Sequence, residues 1–153
     1  MNQSEYNPVI CDDFPKRVLL AEDDDETRCF LASMLRRKGY NVIDLSSGIE
    51  VFNHLGVCLF EGGAAPDVIV SDLRMPDFSG LQVLDCIERA ELHIPFILIT
   101  AHGNELIRTQ ALRAGATAVL TKPFEFDELL DAVHQSTGTC VSDPNALSFV
   151  RSN

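Results

Sequence analysis

The chain has 153 residues, 46% of them hydrophobic, which suits one domain with a single core. Twelve basic against 23 acidic residues leave a net charge of −11, a sign that opposes a phosphate backbone and argues against nucleic acid as a direct partner. Five cysteines without a C-x-x-C pair suggest neither a disulfide framework nor a zinc site, and no apolar run reaches membrane-spanning length, so a protein of the reducing cytoplasm is expected, with no membrane partner.

Residues 1–15 contain no basic segment followed by an apolar stretch, and they read as a tail. Val18 to Ala21 is the first short apolar run and reads as a buried strand. Asp24 to Lys38 then carries Phe30, Leu31, Met34 and Leu35 at helical spacing, with Gly39 as a C-terminal cap. Tyr40 to Leu45 is a second strand. Ser46-Ser47 can cap a helix containing Ile49, Val51, Phe52, Leu55 and Leu59, which runs out at residues 61–66. Asp67 to Ser71 is the third strand, followed by a helix over Leu81 to Ala90. Ile94 to Thr100 is the most continuous apolar strand, Asn104 to Ala114 a helix stopped by Gly115, Thr117 to Thr121 a short fifth strand, and Asp127 to Gln135 the last helix. Strand and helix alternate five times, which predicts a doubly wound α/β sheet with helices on both faces and right-handed crossovers. The expected domain is 16–136, with a second tail at 137–153.

Four widely separated sites, Glu22-Asp23, Asp72, Thr100 and Lys122, each follow an apolar run directly. In an open parallel sheet, ligands bind outside the carboxyl ends of the strands, beside the point where strand order reverses. Three carboxylates, a hydroxyl and an ammonium should therefore converge on one edge. Carboxylates hold a hard divalent cation such as magnesium, while the hydroxyl and ammonium suit phosphate oxygens. The set predicts a phosphoryl-transfer site. Other charged and aromatic residues read more plainly. Asp24, Asp25 and Glu26 favour a helix amino terminus, and Arg36, Arg37 and Lys38 favour a helix carboxyl terminus. His54, His93 and His134 read as structural, His102 as a rim residue near the phosphate, and Phe124 and Phe126 as core.

Residues 72–80, Asp-Leu-Arg-Met-Pro-Asp-Phe-Ser-Gly, together with Glu22-Asp23, Ile-Thr-Ala-His-Gly at 99–103 and Thr-Lys-Pro-Phe at 121–124, resemble the receiver domains of two-component response regulators. Asp72 and Thr100 lie 28 residues apart, and Thr100 and Lys122 lie 22 apart, as in that family. Four motifs in order are far more specific than one. The resemblance implies a flavodoxin-like five-stranded sheet in the order 2-1-3-4-5. It also implies that Asp72 accepts a phosphoryl group from a histidine kinase or phosphotransfer protein. Mg2+ would be held by Glu22, Asp23, Asp72 and the backbone carbonyl of Arg74, with Thr100 and Lys122 on the phosphoryl oxygens and a cis peptide before Pro123. The protein would be a phosphoacceptor rather than a turnover enzyme. Partners, or a second copy of the chain, would read the surface of the fourth helix, fifth strand and fifth helix.

The sequence departs from the family at Val119, where receivers usually carry Tyr or Phe. A valine has no ring to rotate, so switching is expected to run through Thr100 and the backbone of the 101–105 loop. A different class of reading is a haloacid-dehalogenase-like phosphatase, because Asp23 to Thr27 fits D-x-D-x-T; it would leave the Asp72 loop unexplained. A third is a receiver-like interaction module that works without phosphorylation. The sequence ends soon after the last predicted helix, so the expectation is a stand-alone receiver, a phosphorelay shuttle, or a piece of a longer regulator.

Overall fold

The computed structural model describes residues 14–101 and 103–138. Ten elements alternate along them: β1 Arg17–Ala21, α1 Asp25–Arg37, β2 Asn41–Leu45, α2 Gly48–Phe60, β3 Val68–Asp72, α3 Gly80–Arg89, β4 Phe96–Thr100, α4 Glu105–Arg113, β5 Ala118–Thr121 and α5 Phe126–Thr137. The strands form one parallel sheet in the order β2-β1-β3-β4-β5. This is the flavodoxin-like order that the family resemblance implied.

The alternation of side chains along each strand divides the core in two. Val18 and Leu20 of β1, Val68 and Val70 of β3, and Ile97 and Ile99 of β4 point to the face covered by Leu31, Ala32 and Leu35 of α1 and Leu129 and Val133 of α5. Leu19, Ala21, Ile69, Phe96 and Leu98 point to the other face, under Val51 and Leu55 of α2, Val83, Leu84 and Ile87 of α3, and Ala111 of α4. Both faces of the central strands are therefore dry, which is why their sequences read as continuous apolar runs. Phe124 and Phe126 pack against the α1/α5 side, as expected.

Local chemistry sets the helix ends. Asp24 caps α1 by accepting from Thr27 N at 2.9 Å, Ser79 opens α3 with a capping box through Gln82, and Asn104 caps α4 through Ile107 N at 2.9 Å. Gly39 and Gly115 end their helices with φ of 93° and 109°, values that disfavour any residue with a Cβ. The sequence pattern errs at three apolar positions. Phe30 is 58% exposed, Ile49 50% and Leu59 52%, because helical spacing widens the apolar stripe beyond the arc that the sheet covers. The last helix also continues to Thr137, two residues past its predicted end.

Since Phe96 is fully buried between α3, α4 and the sheet, Phe96→Ala should lower the unfolding free energy by about 3–5 kcal/mol in urea denaturation. Phe60→Ser, at a position 89% exposed, should stay within about 0.5 kcal/mol of wild type. Equal losses at the two sites would contradict this assignment of the core.

Candidate functional site

With β1 paired to β3, the carboxyl ends of the two strands lie side by side where the strand order reverses. Glu22 and Asp23 follow β1, and Asp72 is the last residue of β3. Carboxylate oxygens from these three residues all lie within 4.8 Å of one another. Glu22 is 1% exposed and Asp72 7%, whereas Asp23 is exposed, so the cluster opens to solvent on the Asp23 side.

Lys122 comes from the end of β5 and reaches both buried carboxylates. Its Nζ donates to Glu22 Oε2 and to Asp72 Oδ2, each at 3.2 Å. The Lys122 amide donates to the Thr100 carbonyl at 2.8 Å, which ties the end of β5 to the end of β4. Thr100 itself is buried at that edge, and the Lys122–Pro123 peptide bond is cis. The four sites singled out in the sequence thus end at one edge of the sheet. Arg74 lies two residues beyond Asp72, its amide donating to Asp72 Oδ1 at 3.4 Å. His102 lies outside the described residues.

The backbone around the cluster is held from several sides. The Glu22 amide donates to Leu45 O at 3.0 Å, and Arg28 Nη1 donates to Glu22 O at 2.8 Å. On the other limb, Leu73 N donates to Ile99 O at 2.7 Å and Gly80 N to Leu73 O at 2.9 Å. Sequence reading gave no role to Arg28 or to Asp77 within the loop after Asp72. Arg28 carries a local signal, being one helical turn beyond Asp24. Asp77 carries none, since its carboxylate bonds residues 28 and 29 positions away.

Charge is not balanced inside this cluster. Burial raises the Glu22 carboxyl, and the hydrogen bond and charge of Asp72 raise it further; Lys122 and the Asp24 amide pull it only partly back, leaving it at about 7. Burial also works against the Lys122 ammonium, but Asp72 and Glu22 outweigh it and hold the lysine above its ordinary value. Three carboxylates whose oxygens lie within 4.8 Å of one another, with one ammonium among their neighbours, fit a hard divalent metal. The D-x-D-x-T reading finds no such constellation: Asp25 pairs with Arg28 and Thr27 Oγ1 donates to Asp24, so both serve the start of α1.

Residues 18–134 match the response regulator receiver domain family. The chain is 36% identical over 123 residues to nodulation protein W of Bradyrhizobium diazoefficiens, covering 78% of this chain and 50% of that protein. To the transcriptional regulatory protein FixJ of Rhizobium meliloti it is 32% identical over 120 residues, covering 78% and 56%. It spans about half the length of these two relatives. Among solved structures, FixJ-N superposes with a TM-score of 0.68 at 32% identity, over 84% of this chain and 98% of that one. The receiver domain of the Francisella response regulator 1452 gives 0.71 at 26% identity, over 80% and 97%.

Folding raises Glu22 from an ordinary 4.5 to about 7, so the folded state binds that proton more tightly than the unfolded chain. The stability this contributes is full below pH 4.5 and is lost as pH climbs through 7. In metal-free protein, the melting temperature of wild type relative to Glu22→Gln should therefore decline across that window. Parallel curves for the two proteins would place the titrating group elsewhere.

Proposed function

Since the chain belongs to the response regulator receiver domain family, we propose that Asp72 is its phosphoacceptor, taking a phosphoryl group from a histidine kinase or a histidine phosphotransfer protein in the presence of Mg2+. The observation that carries this reading is the Lys122 ammonium, 3.2 Å from both Glu22 and Asp72 at the carboxyl edge of the sheet. An aspartate that attacks a phosphoryl group meets like-charge repulsion, and a fixed cation beside the nucleophile reduces it. Mg2+ would be held by Glu22, Asp23, Asp72 and the Arg74 carbonyl and would supply the remaining positive charge.

The transfer balances simply. An Asp72 carboxylate oxygen forms the new O–P bond while the donor's N–P bond breaks, and that electron pair leaves with the imidazole nitrogen. Lys122 lies within reach of Asp72 and can follow the charge onto the phosphoryl oxygens. Thr100, buried at the end of β4, donates its hydroxyl to a phosphoryl oxygen and draws the 101–105 loop with it. Val119 is buried in β5, and its carbonyl accepts from Arg108 Nη1 of α4 at 3.4 Å, so α4 and β5 are linked without an aromatic ring. Partners in the cytoplasm, or a second copy of the chain, read this α4–β5–α5 surface. The protein acts as a switch and not as a turnover enzyme.

Intact-mass analysis after incubation with acetyl phosphate and Mg2+ should show one added phosphoryl group in wild type and none in Asp72→Asn. Undiminished labelling of Asp72→Asn would contradict the assignment. Steady turnover of a generic phosphomonoester, abolished in Asp23→Asn, would favour a phosphatase instead.

A further inference from the structure

Asp77 sits in the loop between Asp72 and α3, yet its carboxylate is bonded to a different element. Oδ1 accepts from Gly48 N at 2.9 Å, and Oδ2 accepts from Ile49 N at 2.8 Å. Oδ1 also accepts from Phe78 N at 2.7 Å. Helix α2 begins at Gly48, so these are its first two orphan donors. The third, Glu50 N, donates to Ser47 Oγ at 3.3 Å. The amino terminus of α2 is thus capped partly by its own chain and partly in trans by the loop that follows Asp72. Partial desolvation alone would raise the Asp77 carboxyl, but the backbone N–H groups of Ile49, Phe78 and Gly48 hold it at about 2, so it is ionised at neutral pH.

The contact leaves little slack. A Cβ on Gly48 would stand 2.7 Å from Phe78 Cβ, and the Phe78 ring meets Phe52 of α2 edge-on with centroids 5.2 Å apart. The two ends of the loop also approach closely, since a Cβ on Gly80 at its far end would lie 2.5 Å from Asp72 O. On the opposite limb of the carboxylate cluster, Glu22 N is bonded to Leu45 O, just ahead of the same helix. Residues 45–49 therefore touch both limbs: Glu22 through Leu45, and the Asp72 loop through Gly48 and Ile49.

We infer that Asp77 is a positioning residue for the metal site: by capping α2 in trans it holds the Asp72–Arg74 limb at a fixed separation from Glu22-Asp23. The inference rests on the reading of these residues as the Mg2+ ligands. Movement of the loop must break two helix-terminal hydrogen bonds, so the ligand limbs are set before the metal arrives, and outer residues that orient ligands in this way govern affinity.

The test is Mg2+ affinity by calorimetry, with the melting temperature measured alongside, in wild type, Asp77→Asn, Asp77→Ala and Ile49→Pro. The last removes one N–H donor in the first turn of α2, where proline is tolerated, and leaves Asp77 in place. Asp77→Ala should weaken Mg2+ binding about tenfold. Asp77→Asn and Ile49→Pro should fall between it and wild type, and the double variant Asp77→Ala/Ile49→Pro should bind no more weakly than Asp77→Ala alone. Wild-type Mg2+ affinity in folded Asp77→Ala or Ile49→Pro, with only the melting temperature lowered, would overturn the inference and leave Asp77 as a helix cap. Failure of wild type to bind Mg2+ would instead remove the underlying reading of the site.

Discussion

Three carboxylates crowd together at the carboxyl edge of the sheet, two of them bonded to one ammonium, and the surrounding structure holds them there against their own repulsion. Two unit charges about 4 Å apart interact by roughly 4 kcal/mol at an effective dielectric of about 20. The two attractions from Lys122, at 3.2 Å each, therefore roughly offset the three repulsions among carboxylates within 4.8 Å of one another, and the cost of burying the charges is left over. Burial first, and then Asp72, drive Glu22 towards its neutral form. Three oxygen donors in that setting suit a hard divalent cation.

The sheet supplies the rigidity that this crowding demands. Its central strands β1, β3 and β4 are dry on both faces, with Glu22, Asp72 and Thr100 at their carboxyl ends and Lys122 after the edge strand β5, so a central strand that slipped by one residue would exchange the side chains packed in the two cores. Loops carry the rest, and the Asp72–Gly80 loop is bonded to β4, to itself and to α2. Gly103 lies against Thr121 so closely that a Cβ there would clash with its side chain, which packs the chain after β4 against the residue before Lys122.

Much of this was legible in the sequence, for physical reasons. Buried parallel strands must be apolar on both faces, so β1, β3 and β4 stand out as continuous runs, and the residue after each run is placed by topology alone. Glu22, Asp23, Asp72 and Thr100 were found in that way, Lys122 from the shorter run of β5, and the structure brings the ends of these strands to one edge. Asp24, Asp25 and Glu26 were read as helix-start residues and serve as such. Less legible was whatever depends on tertiary contact. Phe30 and Leu59 fit the helical period yet face outward, since periodicity does not fix the width of the covered arc. Asp77 was given no role, because nothing local indicates a bond to Gly48 and Ile49. Arg28 was passed over, though it is bonded to the Glu22 carbonyl and stands 3.6 Å from Asp44 of β2.

The most direct measurement of the central claim is a Mg2+ titration of the wild-type chain followed by backbone amide NMR. If Glu22, Asp23 and Asp72 share one cation beside Lys122, the amides of residues 22–23, 72–74 and 122 should shift together along one binding curve with a single midpoint. Separate midpoints for these segments, or shifts confined to the acidic start of α1 at residues 24–26, would contradict it.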